Sequence, residues 1–369
     1  MKKKITKSQV IDSLKPHREE VDAIDQKILN LLNQRAQVVL KIGDLKKQSS
    51  QEVFAPVREK SLIDNLTQKN PGPFPTHALR AVFGEILSAS RVLQSPIKVA
   101  YLGPEATFTH LAALKSFGRS TELIPESSIS KVFDAVEHKR AQLGVVPIEN
   151  STEGVVGATL DCFLDSPLKI TSETTLPISH HLLSRAKNIK NIQRIYSHVQ
   201  ALSQCRSWLE RNLPHIPLIE ADSTARAAEK AAGDPHAAGI AGEHAAEIYG
   251  LNVLKKNIED NSNNMTRFLI ISQLKSGQGT RTGSDKTSIL FSVKDQVGVL
   301  YKMLKPFYEK KINLTKIESR PLKKKAWEYI FFIDMDGHIE DKKIAEAIRE
   351  LEKQCLFLKV LGSYPKATV

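Results

Sequence analysis

A cation in the middle of an apolar helical seam constrains this chain more than any other feature. Val21, Ile24, Ile28, Leu31, Val38, Ile42 and Leu45 recur at alternating three- and four-residue steps. That is the pattern of a long helix packing against other helices. Arg35 falls on the same stripe. Burying an unpaired guanidinium there is costly, so an anion must meet it. Lys46 follows eleven residues later. Eleven steps of about 100° return it to within roughly 20° of Arg35, three turns on. The pattern predicts a small, dry, anion-binding pocket inside a helical bundle.

The rest of the chain divides into different textures. Residues 13–94 read as helical, with Ser13 as an N-cap and Pro16 in the first turn. The first helix runs to about Lys47, a rod of roughly 50 Å that needs a partner, the same helix of a second copy. Helices over 57–69 and 76–94 follow, separated by Asn70-Pro71-Gly72-Pro73. From Ile97, short apolar strands alternate with helices, an α/β signature. Residues 273–286, rich in Gly and Ser/Thr, read as a linker. The last eighty or so residues read βαββαβ, an antiparallel sheet with two helices on one face. The fold expectation is therefore multidomain: an all-α domain over 1–95, a two-lobed α/β domain over 97–272, and an α+β module over 287–365.

Composition excludes several classes. The three cysteines, Cys162, Cys205 and Cys355, are spread singly, which suits a reducing, cytoplasmic location and permits no disulfide framework or zinc spacing. No signal peptide and no membrane span are expected. The net charge is +12, but the lysines are scattered, clustering only at Lys2–Lys4 and Lys323–Lys325, so acidic metabolites rather than nucleic acid are the expected partners. No nucleotide loop or His/Cys cluster is present, so no metal or cofactor is expected.

In the helical domain the candidate binding and catalytic residues are Arg18, Arg35, Lys46, Arg58, Glu59, Ser90 and Gln94. Ser90 and Gln94 share a helix face at i, i+4. Arg18 lies about 100° off the Arg35 stripe and reaches the pocket only from another chain or a turned helix. These residues, with Leu31-Leu32 and the string Ser90-Arg91-Val92-Leu93-Gln94, resemble the all-helical chorismate mutases. The resemblance implies that Arg35 and a partner's Arg18 clamp the carboxylates of chorismate. Lys46 and Gln94 would then bond the ether oxygen and Glu59 the ring hydroxyl, with Arg58 and Ser90 in support. Phe54-Ala55-Pro56 stands where the family usually has an acidic residue.

In the middle domain, Val146-Pro147-Ile148-Glu149-Asn150-Ser151 places polar residues just after a strand, where open α/β sheets bind ligands. Ser197-His198-Val199-Gln200 with Gln204, and Asn264-Met265-Thr266-Arg267-Phe268, repeat the arrangement. With Gly103-Pro104-Glu105-Ala106-Thr107-Phe108 and Ser223-Thr224-Ala225, these strings resemble prephenate dehydratase. The resemblance implies a cleft between two lobes. Thr266 would assist departure of the ring hydroxyl, Asn150, Ser151, Ser197 and Gln204 would orient prephenate, and Arg267 would meet a carboxylate. His180 and His198 read as structural.

The last module resembles the ACT regulatory domain. Gly298-Val299-Leu300 and Glu318-Ser319-Arg320-Pro321 look like its phenylalanine-binding strings, with Val299 where alanine is common. A glycine before a helix also leaves backbone N–H groups free for a carboxylate. In this order the three resemblances imply the bifunctional chorismate mutase/prephenate dehydratase family: a dimer-based enzyme of phenylalanine synthesis under phenylalanine feedback. Two alternatives remain at this stage, a dehydratase whose helical domain only dimerises it and an amino-acid-sensing binding protein.

Overall fold

The computed structural model describes residues 7–48, 54, 56–273, 281–294, 296–321 and 329–367, with side chains from residue 13 onward. Ala55, both lysine clusters and the middle of the expected linker lie outside the described residues.

Three helices open the chain: α1 (Lys7–Gln48), α2 (Pro56–Gln68) and α3 (Thr76–Gln94). Helix α1 begins before Ser13 and continues through Pro16. Ser13 is therefore interior rather than a cap, because the loss of one water-exposed hydrogen bond at Pro16 does not outweigh continuation of the helix. α1 and α3 meet closely at Gly43, where a Cβ would lie 3.0 Å from the Gln94 Cα.

The first α/β lobe contains β1 (Lys98–Leu102), α4 (Phe108–Phe117), β2 (Glu122–Glu126), α5 (Ile129–Glu137), β3 (Leu143–Asn150), β4 (Gly154–Val155), α6 (Gly157–Asp165) and β5 (Lys169–Pro177). The chain then crosses to a second lobe: β6 (His181–Ser184), β7 (Arg194–Ser197), α7 (Val199–Gln204), α8 (Arg206–Asn212), β8 (Leu218–Glu220), α9 (Thr224–Gly233), β9 (Ala237–Ala241), α10 (Glu243–Tyr249) and β10 (Asn252–Lys255). Strand β11 (Met265–Ser272) crosses back and inserts between β3 and β5. The sheet orders are β2-β1-β3-β11-β5, with β4 on β3, and β10-β6-β9-β7-β8.

The C-terminal module is β12 (Asp285–Val293), α11 (Val299–Glu309), β13 (Leu314–Pro321), β14 (Tyr329–Asp336), α12 (Lys342–Glu352) and β15 (Cys355–Pro365). Its sheet is antiparallel in the order β13-β14-β12-β15. Ile289, Phe291, Ile333 and Met335 face the helices, while Leu290, Ile330 and Phe332 join the core of the first α/β lobe.

Strand β11 is buried along almost its whole length because both faces are covered. Successive side chains alternate: Phe268 and Ile270 enter one core with α4, and Leu269 and Ile271 enter the other with α5, α6 and the C-terminal sheet.

Candidate active and effector sites

In the helical domain, the Arg35 guanidinium donates to the Ser90 hydroxyl, which donates in turn to the Ile86 carbonyl at 2.6 Å. Gln94 lies on the same face; its amide nitrogen donates to the Ser90 carbonyl at 3.2 Å, and its buried Oε1 accepts no hydrogen bond from the described residues. Burial, and then the charge of nearby Arg58, lower the Lys46 ammonium below its ordinary range, against the pull of Glu59. The structure thus gathers Arg35, Ser90 and Gln94 on one groove and Lys46, Arg58 and Glu59 on one cluster. Glu59 is already engaged: it pairs with Arg91, whose other nitrogen donates to the Phe117 carbonyl at 2.6 Å. Arg91 carries no predicted role, although a buried arginine on a helix face is the same signal that singles out Arg35.

Arg18 is exposed and lies seventeen residues from Arg35 on the same helix, roughly 25 Å away. A single chain does not bring them together. The seam residues Val21, Ile24, Ile28, Leu31, Val38, Ile42 and Leu45 are 37–64% exposed.

The second constellation lies where the strands that join the two lobes end. Thr266 on β11 pairs in register with Asn150 on β3. The Asn150 amide nitrogen donates to Thr266 Oγ1 at 2.7 Å and to Asn264 Oδ1 at 2.6 Å. Its carbonyl oxygen accepts from the backbone N–H groups of Thr152 and Glu153, both at 3.0 Å, which fixes the amide. Because Thr266 accepts from Asn150, its own proton points elsewhere. Ser151 closes the loop, donating to the Asn263 carbonyl and accepting from the Met265 N–H.

Gln204 comes from the other lobe. Its Oε1 accepts from Asn264 at 3.0 Å and lies 2.8 Å from His180 Nε2, while its nitrogen donates to Glu153 at 3.0 Å. Burial keeps His180 below its ordinary pKa. Phe108, from the Gly103–Phe108 string, packs edge-on to it, with ring centroids 5.8 Å apart. His198 caps α7, its ring accepting from the Gln200 N–H.

Two predicted substrate residues sit differently. Ser197 is fully buried and donates to the Ile240 carbonyl at 2.8 Å, tying β7 to β9. Arg267 faces away from Thr266 because adjacent strand residues point to opposite sides. It meets three protein carboxylates, Glu149 at 3.0 Å, Glu173 at 2.6 Å and Asp334 at 2.5 Å, as well as the Tyr364 hydroxyl at 3.0 Å. Its partners here are acids and a phenol of the chain itself, on the side away from Thr266, where the resemblance implied a substrate carboxylate. Asn264 and Glu153 complete the network without having been singled out. Asn264 lies in a string that the sequence marks, and nothing in the sequence marks Glu153.

The effector strings are split. Gly298 is left-handed (φ 77°) ahead of α11, but the Val299 N–H is taken by the Gln296 carbonyl, so that donor is not free. On β13, Glu318 and Arg320 face the α/β domain, while Ser319, paired with Phe331, is exposed on the opposite face. A cavity of about 230 Å³ is lined by Glu318, Arg320, Pro321 and Phe332 of this module and by Leu160 and Asp165 of α6; Gly298–Leu300 do not reach it.

Three family models match in order: Chorismate mutase type II over residues 17–95, Prephenate dehydratase over 99–276, and ACT domain over 287–353. A bifunctional chorismate mutase/prephenate dehydratase of Aquifex aeolicus is 52% identical, covering 97% of this chain and 99% of its own. One of Pseudomonas aeruginosa is 42% identical over 97% and 99%. A crystal structure of prephenate dehydratase from Arthrobacter aurescens in complex with L-Phe is 35% identical with a TM-score of 0.68, covering 73% of this chain and 90% of that one. Mutase, dehydratase and ACT domains thus occur in one chain, at high identity to enzymes that carry both activities, and the chain belongs to the bifunctional chorismate mutase/prephenate dehydratase family.

Proposed function

We propose that the two activities use the two constellations described above, in sequence. At the helical groove, Arg35 holds one carboxylate of chorismate and Arg18 of a second copy holds the other. Lys46 and Gln94 stabilise the ether oxygen as its bond breaks. A pericyclic rearrangement needs no nucleophile; confinement in the reactive conformation and charge stabilisation suffice. The exposed apolar seam of α1 supports a dimer built on that helix. Arg58, Glu59 and Ser90 support the groove, Glu59 through its pair with Arg91.

At the cleft, prephenate loses carbon dioxide and hydroxide as its ring becomes aromatic. The electrons of the C–CO₂ bond enter the ring, the C–OH bond breaks, and the departing hydroxide takes a proton to leave as water. Thr266 donates a hydrogen bond to that hydroxyl, oriented by Asn150, with Ser151 and Gln204 shaping the cleft. The observation that carries this reading is the 2.7 Å bond from Asn150 to Thr266 across β3 and β11, beside the lobe junction. Ser197 supports the second lobe from within its sheet.

Phenylalanine is the proposed effector of the ACT module, acting through Gly298–Leu300 and Glu318–Pro321. The unpaired cysteines fit a reducing cytoplasm, and no described helix is long and apolar enough to cross a membrane.

The test is to give the purified protein chorismate and, separately, prephenate, and to follow phenylpyruvate. Both samples should produce it above the uncatalysed rate. Arg35→Ala should abolish production from chorismate and spare production from prephenate. Loss of both would place Arg35 in the fold rather than in the mutase site.

A further inference from the structure

We infer that the ion pair between Lys316 and Glu149 carries the state of the effector strand to the dehydratase site. The inference rests on the reading of phenylalanine as an effector held at β13.

Side chains on β13 alternate between its two faces, so Lys316, Glu318 and Arg320 all point at the catalytic domain. Arg320 meets Asp161 of α6 at 3.1 Å. Gly157 makes room for it: a Cβ at that position would lie 2.3 Å from Arg320 Nη1. Glu318 lies between Arg320 and Lys316 and lines the cavity with Arg320. Lys316 bonds to Glu149. The next residue along β3 is Asn150, which holds Thr266. One strand and one ion pair therefore separate the cavity from the reacting hydroxyl.

The pair is a genuine charge pair. Burial opposes ionisation of Glu149, but the bond from Lys316 and the charges of Arg267 and Lys316 hold its carboxyl below the usual range. Glu149 also keeps Arg267, so it stays compensated when Lys316 lets go. That asymmetry is what a coupling contact requires, since breaking it changes a neighbour's position without leaving a buried charge alone. A ligand that draws Glu318 and Arg320 toward itself loosens Arg320 from Asp161. Lys316, two and four residues away on the same face, moves with the strand, and Asn150 loses the anchor beside it. A ligand shifts such an equilibrium only through contacts that differ between the two states, and here the differing contacts are Arg320–Asp161 and Lys316–Glu149.

The experiment uses the full chain with Lys316→Met and Lys316→Arg, with L-phenylalanine as the probe. Binding is read by calorimetry and inhibition by dehydratase assay; mutase turnover of the same sample reports folding. Lys316→Met should keep kcat and KM without phenylalanine and still bind it. Its half-inhibiting concentration should rise at least about fivefold, the lower end of a typical coupling free energy. Lys316→Arg should restore inhibition. An inhibition curve unchanged in Lys316→Met overturns the inference. So does loss of phenylalanine binding, which would make Lys316 a ligand contact, or a collapse of kcat without effector. If the wild-type chain neither binds nor responds to phenylalanine, the effector reading itself fails, and the pair has nothing to carry.

Discussion

Thr266 is 9% exposed and accepts from an amide that is itself fixed by two backbone donors. A hydroxyl held this way keeps its proton off the Asn150 side and available to donate, which is what a leaving-group contact needs. Thr266→Ala should lower dehydratase kcat by about 10²-fold, Thr266→Ser should recover most of it, and mutase turnover should not change. Steady-state kinetics on both substrates checks this. A second prediction concerns His244, whose ring nitrogens are buried without hydrogen-bond partners among the described residues. Burial, then the neighbouring His110, lower its pKa from 6.5 to about 4. The unfolded chain takes up a proton below pH 6.5 and the folded chain does not, so this contribution is complete above that pH and is lost as pH falls toward 4. Partial exposure discounts the loss to on the order of 2 kcal/mol. His244→Gln should flatten the fall in urea midpoint between pH 7 and pH 5. Polar strings at strand ends were legible because strands deliver their last residues to clefts. The facing of Arg267 was not, because adjacency in sequence to Thr266 says nothing of the strand's parity until both neighbouring sheets are known.

At the scale of elements, α1 explains itself only in company. Its seam follows helical periodicity over six turns and stays largely exposed, while Arg35, Val39, Gly43 and Lys46 lie on the side that meets the rest of the chain. Ile28→Lys with Leu31→Glu should give a monomer in light scattering, with mutase activity lost and dehydratase activity kept. A dimer that persists would move the interface elsewhere. The bounds of α2 and α3 and the βαββαβ order were readable from Pro/Gly breaks and periodicity. The start of α1 was not, because Ser13 and Pro16 carry the marks of a helix start while the backbone runs on through them. The route of β11 was equally hidden: nothing local says that a strand after the second lobe returns to the centre of the first sheet.

Across the whole molecule, the catalytic and regulatory domains share one core and one set of charges. Arg267, Lys286 and Lys316 face Glu149, Glu173 and Asp334, three charges of each sign contributed by both domains. The balance is what makes burial tolerable. Arg267→Met removes the cation that touches all three carboxylates, whereas Lys286 and Lys316 each touch one that Arg267 also holds. It should destabilise the dehydratase–ACT unit by roughly 3–5 kcal/mol in chemical denaturation; a cost near zero would mean water reaches the cluster. The division into three domains was visible in changes of texture along the chain, whereas the salt network was not, because its members lie up to some two hundred residues apart.

The alternation along β11 sets a rule for how this enzyme can change. Thr266 looks toward the proposed dehydratase site and Arg267 toward the carboxylates shared with the ACT module, and they are separated by a single peptide bond. A deletion or insertion of one residue upstream in that strand would exchange their directions, putting a cation at the reacting hydroxyl and a threonine among three carboxylates. A one-residue change of length there would therefore disturb both positions at once, and neither can be re-aimed without the other.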